Sequence, residues 1–210
     1  MTGFRIRHPA SVAAGLAVGP AMGGAAYGGW VASSAGQQDS RQVSAVEAAF
    51  SHAVQADQSF GSPPAAYQAS VTAAIRAHRQ AFAIPAAEHR QLLAAGTAAI
   101  ARYFSSAQAS AEQTHLNDGL ALDSDPNIIN LGSGVSQVRF LHVTVTGARA
   151  TVEADVTVWA KSEARQATAG PWLMTDPVNI VDDKASLALR RSGTWQVTSL
   201  PGSFVPGYGL

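Results

Sequence analysis

The hydrophobic period of this chain changes once, and that change limits what it can fold into. Between residues 40 and 116 apolar side chains recur every three or four positions, and between 135 and 200 they recur every second position. Helices therefore come first and strands follow, without alternation. That order selects an α+β architecture and excludes a doubly wound parallel sheet. With 210 residues, the chain has room for one such domain plus an appendage.

In the helical half, Ser40 is an expected N-cap, followed by the stripe Val43, Val46, Phe50 and Val54. Glu47, Ser51, Gln55 and Gln58 fall on the opposite side. Gly61-Ser62-Pro63-Pro64 breaks the helix and starts a second, with Ser62 as N-cap and Pro63 in the first turn. Tyr67, Val71, Ile75, His78 and Phe82 keep helical spacing until Ile84-Pro85. A third helix is expected from Ala86 to about Gln113, with Leu92, Leu93, Gly96, Ile100, Tyr103, Phe104, Ala107 and Ala111 on one face. The stretch 117–134 reads as an acidic hinge that could include a short strand.

In the extended half, Val152, Ala154, Val156, Val158 and Ala160 alternate with Glu153, Asp155, Thr157, Trp159 and Lys161. This is the pattern of a half-buried antiparallel strand. Strands are also expected over Val135–Thr146 and Val178–Arg190, and from Trp195 after the turn Arg191-Ser192-Gly193-Thr194. Three helices must then lie on the apolar face of a strongly bent antiparallel sheet of about four strands. Residues 201–210, with two prolines and three glycines, read as an irregular tail.

Ahead of this domain lies an uncharged segment from Pro9 to Gln38, long enough to cross a bilayer. Arg5 and Arg7 precede it, and Tyr27 and Trp30 lie near its far end. Residues 1–38 thus read as a cytoplasmic stub and a single membrane anchor through residues 9–32, with residues 39–200 outside the cytoplasm. A cleaved secretory signal is the alternative, because Val31-Ala32-Ser33-Ser34-Ala35 offers small residues for processing. Gly15, Gly19 and Gly23, and Gly24 with Gly28, have the spacing that lets membrane helices approach closely, so self-association is an expectation.

Composition removes several function classes. Without cysteine there are no disulfides, thiolate nucleophiles or Cys-based zinc sites. Basic and acidic residues balance at 14 each, and Arg190-Arg191 is the largest basic cluster, so nucleic acid is not an expected partner. His52, His78 and His89 do not pair at a helical i,i+4 step, and HExxH is absent. Asp118, Asp123 and Asp125 are close in sequence but lack the EF-hand register, so a plain acidic loop is expected rather than a calcium site. GxSxG and GxxxxGK[ST] are absent too. The residues alone suggest neither cofactor nor metal.

The hairpin Leu187-Ala188-Leu189-Arg190-Arg191-Ser192-Gly193-Thr194-Trp195-Gln196-Val197 and the strand from Ala150 to Val158 resemble the nuclear transport factor 2-like superfamily. That resemblance spans roughly residues 40–200 and implies a cone, with helices packed in the concavity of a curved sheet. The layout of one anchor and one exported domain resembles the inner-membrane assembly subunit of type IV secretion systems, its conjugation relatives and Mce-associated membrane proteins of actinobacteria. The excess of arginine over lysine suits a high-GC host. The resemblance implies a non-catalytic scaffold or assembly subunit of a larger membrane complex. Its partners would be other subunits or further copies of itself. Other members of the fold are isomerases, cyclases or dehydratases with an Asp, His or Tyr in the mouth of the cone. A small-molecule binder or enzyme of that kind is the alternative. The candidates for such a pocket are Tyr103, His142, Asp155 and Trp159, with His115, Asp118 and Trp172 behind them. Each also has a structural reading, and no nucleophile–base–orienter set emerges from the sequence.

Overall fold

In the computed structural model the described residues are 30–63, 67, 73, 77, 84–165 and 170–205, with side chains described from residue 39 onward. Among the described residues three helices, α1 (Trp30–Gln58), α2 (Ala86–Tyr103) and α3 (Ser106–Leu122), precede six strands. The strands are β1 (Ile128–Thr146), β2 (Arg149–Ala164), β3 (Leu173–Thr175), β4 (Val178–Leu189), β5 (Trp195–Ser199) and β6 (Gly202–Phe204). The architecture is α+β, with the helices on an antiparallel sheet.

The alternation in β2 becomes its burial. Val152, Ala154, Val156, Val158 and Ala160 are 0–6% exposed, while the residues between them are only half-buried. Against this apolar face α1 lays Val46, Phe50, Ala53 and Val54, all fully or almost fully buried. Phe50 meets Phe140 of β1 edge to face, with ring centroids 5.8 Å apart. Each fully buried valine or phenylalanine among them contributes roughly 1.5–3 kcal/mol by leaving water.

Six strands occupy four rails, and prolines account for the difference from the expected four. β3 and β4 both pair with β2, and β5 and β6 both pair with β4. Pro177 interrupts the first of these rails and Pro201 the second. Proline cannot donate to the ladder, but its carbonyl still accepts. The amide of Ala160 reaches Pro177 at 3.1 Å and that of Lys184 reaches Pro201 at 3.1 Å. The tail read as irregular from residue 201 therefore returns to the sheet at Gly202–Phe204.

β1 bends because it is longer than its partner. The register skips Leu131, Ser136 and Leu141 on β1 while β2 runs on without gaps. Each extra residue is a bulge that kinks the strand and blunts a free edge. The bulge at Leu141 also shifts the alternation. Leu141 is exposed, and Phe140 packs against the core in its place.

Three expected boundaries move. Ser40 is not an N-cap, since α1 already runs from Trp30. The helix from Ala86 does not continue to Gln113. It stops at Tyr103, and Phe104 turns extended to bridge Val197 of β5, with the Ser105 amide donating to the Val197 carbonyl at 2.8 Å. The hinge 117–134 is helix to Leu122 and strand from Ile128, so only a short turn remains. The expected second helix, 62–82, lies mostly outside the described residues.

The break at Phe104 is held by a buried side chain. Gln196 of β5 donates through Nε2 to the carbonyls of Ala101 and Arg102, each at 3.0 Å. These carbonyls belong to the last turn of α2, where no intrahelical donor remains. Gln196→Ala is expected to cost about 1–2 kcal/mol in urea unfolding, because the carbonyls of Ala101 and Arg102 lose their donor and a buried side chain is removed.

Candidate functional site

The only side-chain cluster of metal-ligand type among the described residues lies where the C-terminal end of α1 meets α3. Asp57 extends the buried stripe of α1 by one turn beyond Val54. On α3, Glu112, Leu116 and Leu120 are buried at steps of four. Both acids therefore fall on the faces that helix packing drives inward. His115 lies one turn beyond Glu112 and is half-buried. The three residues bring one ligand atom each within 4.8 Å of one another.

The contacts inside the cluster are specific. His115 Nδ1 lies 2.7 Å from Asp57 Oδ1. Gln58 donates through Nε2 to the other oxygen of Asp57. Gln108, one turn before Glu112, donates through Nε2 to Glu112 Oε1 at 2.8 Å. Glu112 Oε2 is buried and meets no donor among the described residues. Burial pushes the Glu112 carboxyl up to about 8, and the nearby negative charge of Asp57 and a proton-bridged hydrogen bond to it add to the shift. The hydrogen bond from Gln108 and the charge of His115 oppose it.

Two glycines set how closely the helices meet. Gly61, just after α1, has φ +80° and lies against Gly119 of α3. A Cβ on Gly61 would stand 2.4 Å from the Gly119 carbonyl carbon and oxygen. Asn130 at the start of β1 donates to the Gly61 carbonyl at 2.6 Å, and Ser62 donates to the Ser133 carbonyl at 3.0 Å. Asn130 also reaches Asp123, whose carboxyl is pushed up to about 7 by burial, with that hydrogen bond opposing. Beside this junction is a small apolar cleft of about 220 Å³, lined by Phe60, Leu92, Gly96, Ala99, Leu116 and Leu120 among others.

The residues singled out from the sequence do not converge. Tyr103 is half-buried near the end of α2, with its ring 5.7 Å from that of His52 and the Arg102 guanidinium 5.4 Å over it. His142 is exposed beside the Leu141 bulge. Asp155 pairs with Arg139 across β1 and β2. Trp159 packs over Gly132, with its indole Nε1 buried and unpartnered among the described residues. Trp172 lies under the Arg165 guanidinium at 4.6 Å. His115 and Asp118 are inside α3 rather than at the end of a helix, and Asp118 is exposed. Asp123 is buried and Asp125 accepts from the Asn127 amide at 2.8 Å, so these acids serve separate local contacts. His78 and the glycines at 15, 19, 23, 24 and 28 lie outside the described residues.

Of the cluster itself, sequence reasoning found only His115. Asp57 and Glu112 carried a readable signal, since each is an acid in register with an apolar helical stripe. No helix of the described residues is long and apolar enough to cross a membrane, and most of the segment 9–32 lies outside them.

No protein-family model matches the chain. No curated protein matches it either. Among solved structures, the chain is similar to the intermembrane space region of the chloroplast protein ARC6. The TM-score is 0.37 at 15% identity, covering 52% of this chain and 77% of that one.

Proposed function

We propose that this chain is a non-catalytic, membrane-anchored assembly subunit whose domain from residue 39 onward lies outside the cytoplasm and docks onto other components of a membrane complex. The observation that carries this reading is the use of the sheet's apolar face. Val46, Phe50, Ala53 and Val54 of α1 cover the apolar face of the sheet with packed side chains, where an enzyme of the nuclear transport factor 2-like shape would need an open mouth. Among the described residues, Tyr103, His142, Asp155 and Trp159 do not come together in one site. A filled concavity makes the domain a solid body, suited to presenting surfaces rather than enclosing a substrate.

Exposed apolar side chains supply those surfaces. Leu173 and Met174 on β3 and Val178 on β4 are each 58–59% exposed, and Phe204 on β6 joins them at the same end of the sheet. β3 and β6 are three residues long, and both end rails that prolines have interrupted, which leaves backbone edges for a partner strand. The uncharged run from Pro9 to Gln38 supports the anchor.

The apolar cleft at Phe60 and Leu116 favours a second reading, a binder of a small hydrophobic molecule. The two separate in one experiment. Full-length protein is fractionated, washed with carbonate and cross-linked. Retention in the membrane with cross-linked partners, lost on Met174→Asp with Val178→Asp, is the expected result. Release as a soluble monomer whose melting temperature rises with hydrophobic ligands would replace it by the second reading.

A further inference from the structure

We propose that Asp57, Glu112 and His115 bind a divalent transition-metal cation with the coordination chemistry of zinc, tying the end of α1 to α3. This site is independent of the subunit reading above.

The donors come from two helices and already converge. His115 Nδ1 and Asp57 Oδ1 are 2.7 Å apart, and all three donor atoms lie within 4.8 Å of one another. Zinc holds nitrogen and carboxylate oxygen at roughly 2.0–2.2 Å, which places neighbouring donors about 3–3.5 Å apart. A side-chain shift of about an ångström brings the present set to that spacing. The bond between His115 and Asp57 would then open around the ion.

Glu112 gives the second, independent indication. It is 3% exposed, and among the described residues Oε2 meets no donor; beyond Gln108, Glu112 has only the Asp57 carboxyl as a hydrogen-bonding neighbour, a contact that needs a proton between the two acids. Buried carboxylate oxygens are almost always satisfied, so between two such acids a proton or a cation must sit. Gln108 already occupies Oε1, as an outer group would when orienting a ligating carboxylate. A cation at Oε2 would complete the coordination of Glu112 and offset the proximity of two buried carboxylates.

The donor set argues for the type of ion. Two carboxylates with one imidazole suit zinc and its first-row neighbours, whereas magnesium and calcium prefer all-oxygen shells. Three protein donors leave one position for water. The His115 side chain is 32% exposed, so an ion can enter from its side.

The test is calorimetric titration of Zn²⁺ and, separately, Mg²⁺ into the metal-stripped full-length chain in detergent, alongside thermal melting. The expected result is saturable 1:1 Zn²⁺ binding, a raised melting temperature and at least tenfold weaker binding of Mg²⁺. Glu112→Gln keeps the shape and the Gln108 contact, and should weaken Zn²⁺ at least tenfold. His115→Ala, at a position whose side chain is 32% exposed, should do the same. His89→Ala, on α2, should change nothing. The proposal is overturned if the parent shows no saturable binding, if Mg²⁺ binds as tightly, or if His115→Ala binds Zn²⁺ like the parent. Binding lost only in His89→Ala also overturns it.

Discussion

Gly61→Ala should destabilise the protein by roughly 3 kcal/mol or more in urea unfolding, while Gly193→Ala should cost only about 1 kcal/mol. The two glycines have nearly the same backbone, φ +80° and +81°. Each would make alanine bear the left-handed conformation, worth about 1–2 kcal/mol. They differ in what a methyl group would meet. At Gly193, in the hairpin turn after β4, nothing lies within 4 Å. At Gly61 the new carbon would stand 2.4 Å from the Gly119 carbonyl, and backbone cannot swing aside as a side chain can. Overpacking of that kind adds roughly 1–3 kcal/mol. Gly119→Ala tests the same contact from the other helix. Alanine should strengthen α3 by about 1 kcal/mol on propensity alone. Its Cβ would, however, stand 2.6 Å from the Phe60 carbonyl oxygen, and the collision should win. Because both substitutions act on one contact, their effects should not add. Equal losses for Gly61→Ala and Gly193→Ala would mean that the chain just after α1 does not meet α3 backbone to backbone.

That junction also shows where sequence reading stops. The strands were legible because burial on one face forces a period of two, and β2 keeps it from Arg149 to Ala160 without a bulge. The α1 stripe was legible for the same kind of reason. The break at Phe104 was not, because the apolar spacing runs through it, and its cause is a bridge to Val197 over ninety residues away. The bulges of β1 were hidden too. Leu131 and Leu141 look like core residues, and only pairing with the shorter β2 makes them surplus. No local pattern says that the carbonyls of Pro177 and Pro201 keep the ladder going, with β3 on one side of Pro177 and β6 after Pro201. The Asp57–Glu112–His115 cluster depends on the chain after α1 meeting α3 at Gly61 and Gly119, which no local pattern states. Its two acids were nonetheless marked, on stripes otherwise made of valine, phenylalanine and leucine.

The metal-free protein should lose stability as pH rises from about 5 to 8. Glu112 has a folded value of about 8 against an ordinary 4.5, so between those values the folded state holds more protons than the unfolded state. Stability then falls with rising pH, and the contribution of this group is fully lost above about 8. Asp123, at about 7 against an ordinary 3.8, acts in the same direction and stops contributing to the slope near 7. The steepest fall belongs where both windows overlap, from about 4.5 to 7. Glu153 acts in the opposite sense. Its partner Lys184 holds it below the usual carboxylate range, so its stabilisation is lost only as pH falls below that range. Glu112→Gln removes the ionising group but keeps an acceptor for Gln108. Measured by urea unfolding with a chelator present, the variant should match the parent near pH 5 and exceed it at pH 8. The gain at pH 8 should be on the order of 2–3 kcal/mol, reduced from the full linkage value because water reaches the cluster past His115. A parent whose stability rises from pH 5 to 8, or a variant with the parent's slope, would show that Glu112 is ionised in the fold at neutral pH. Added Zn²⁺ should reverse the trend in the parent alone, since the ion binds the deprotonated carboxylate and competes with the proton for it.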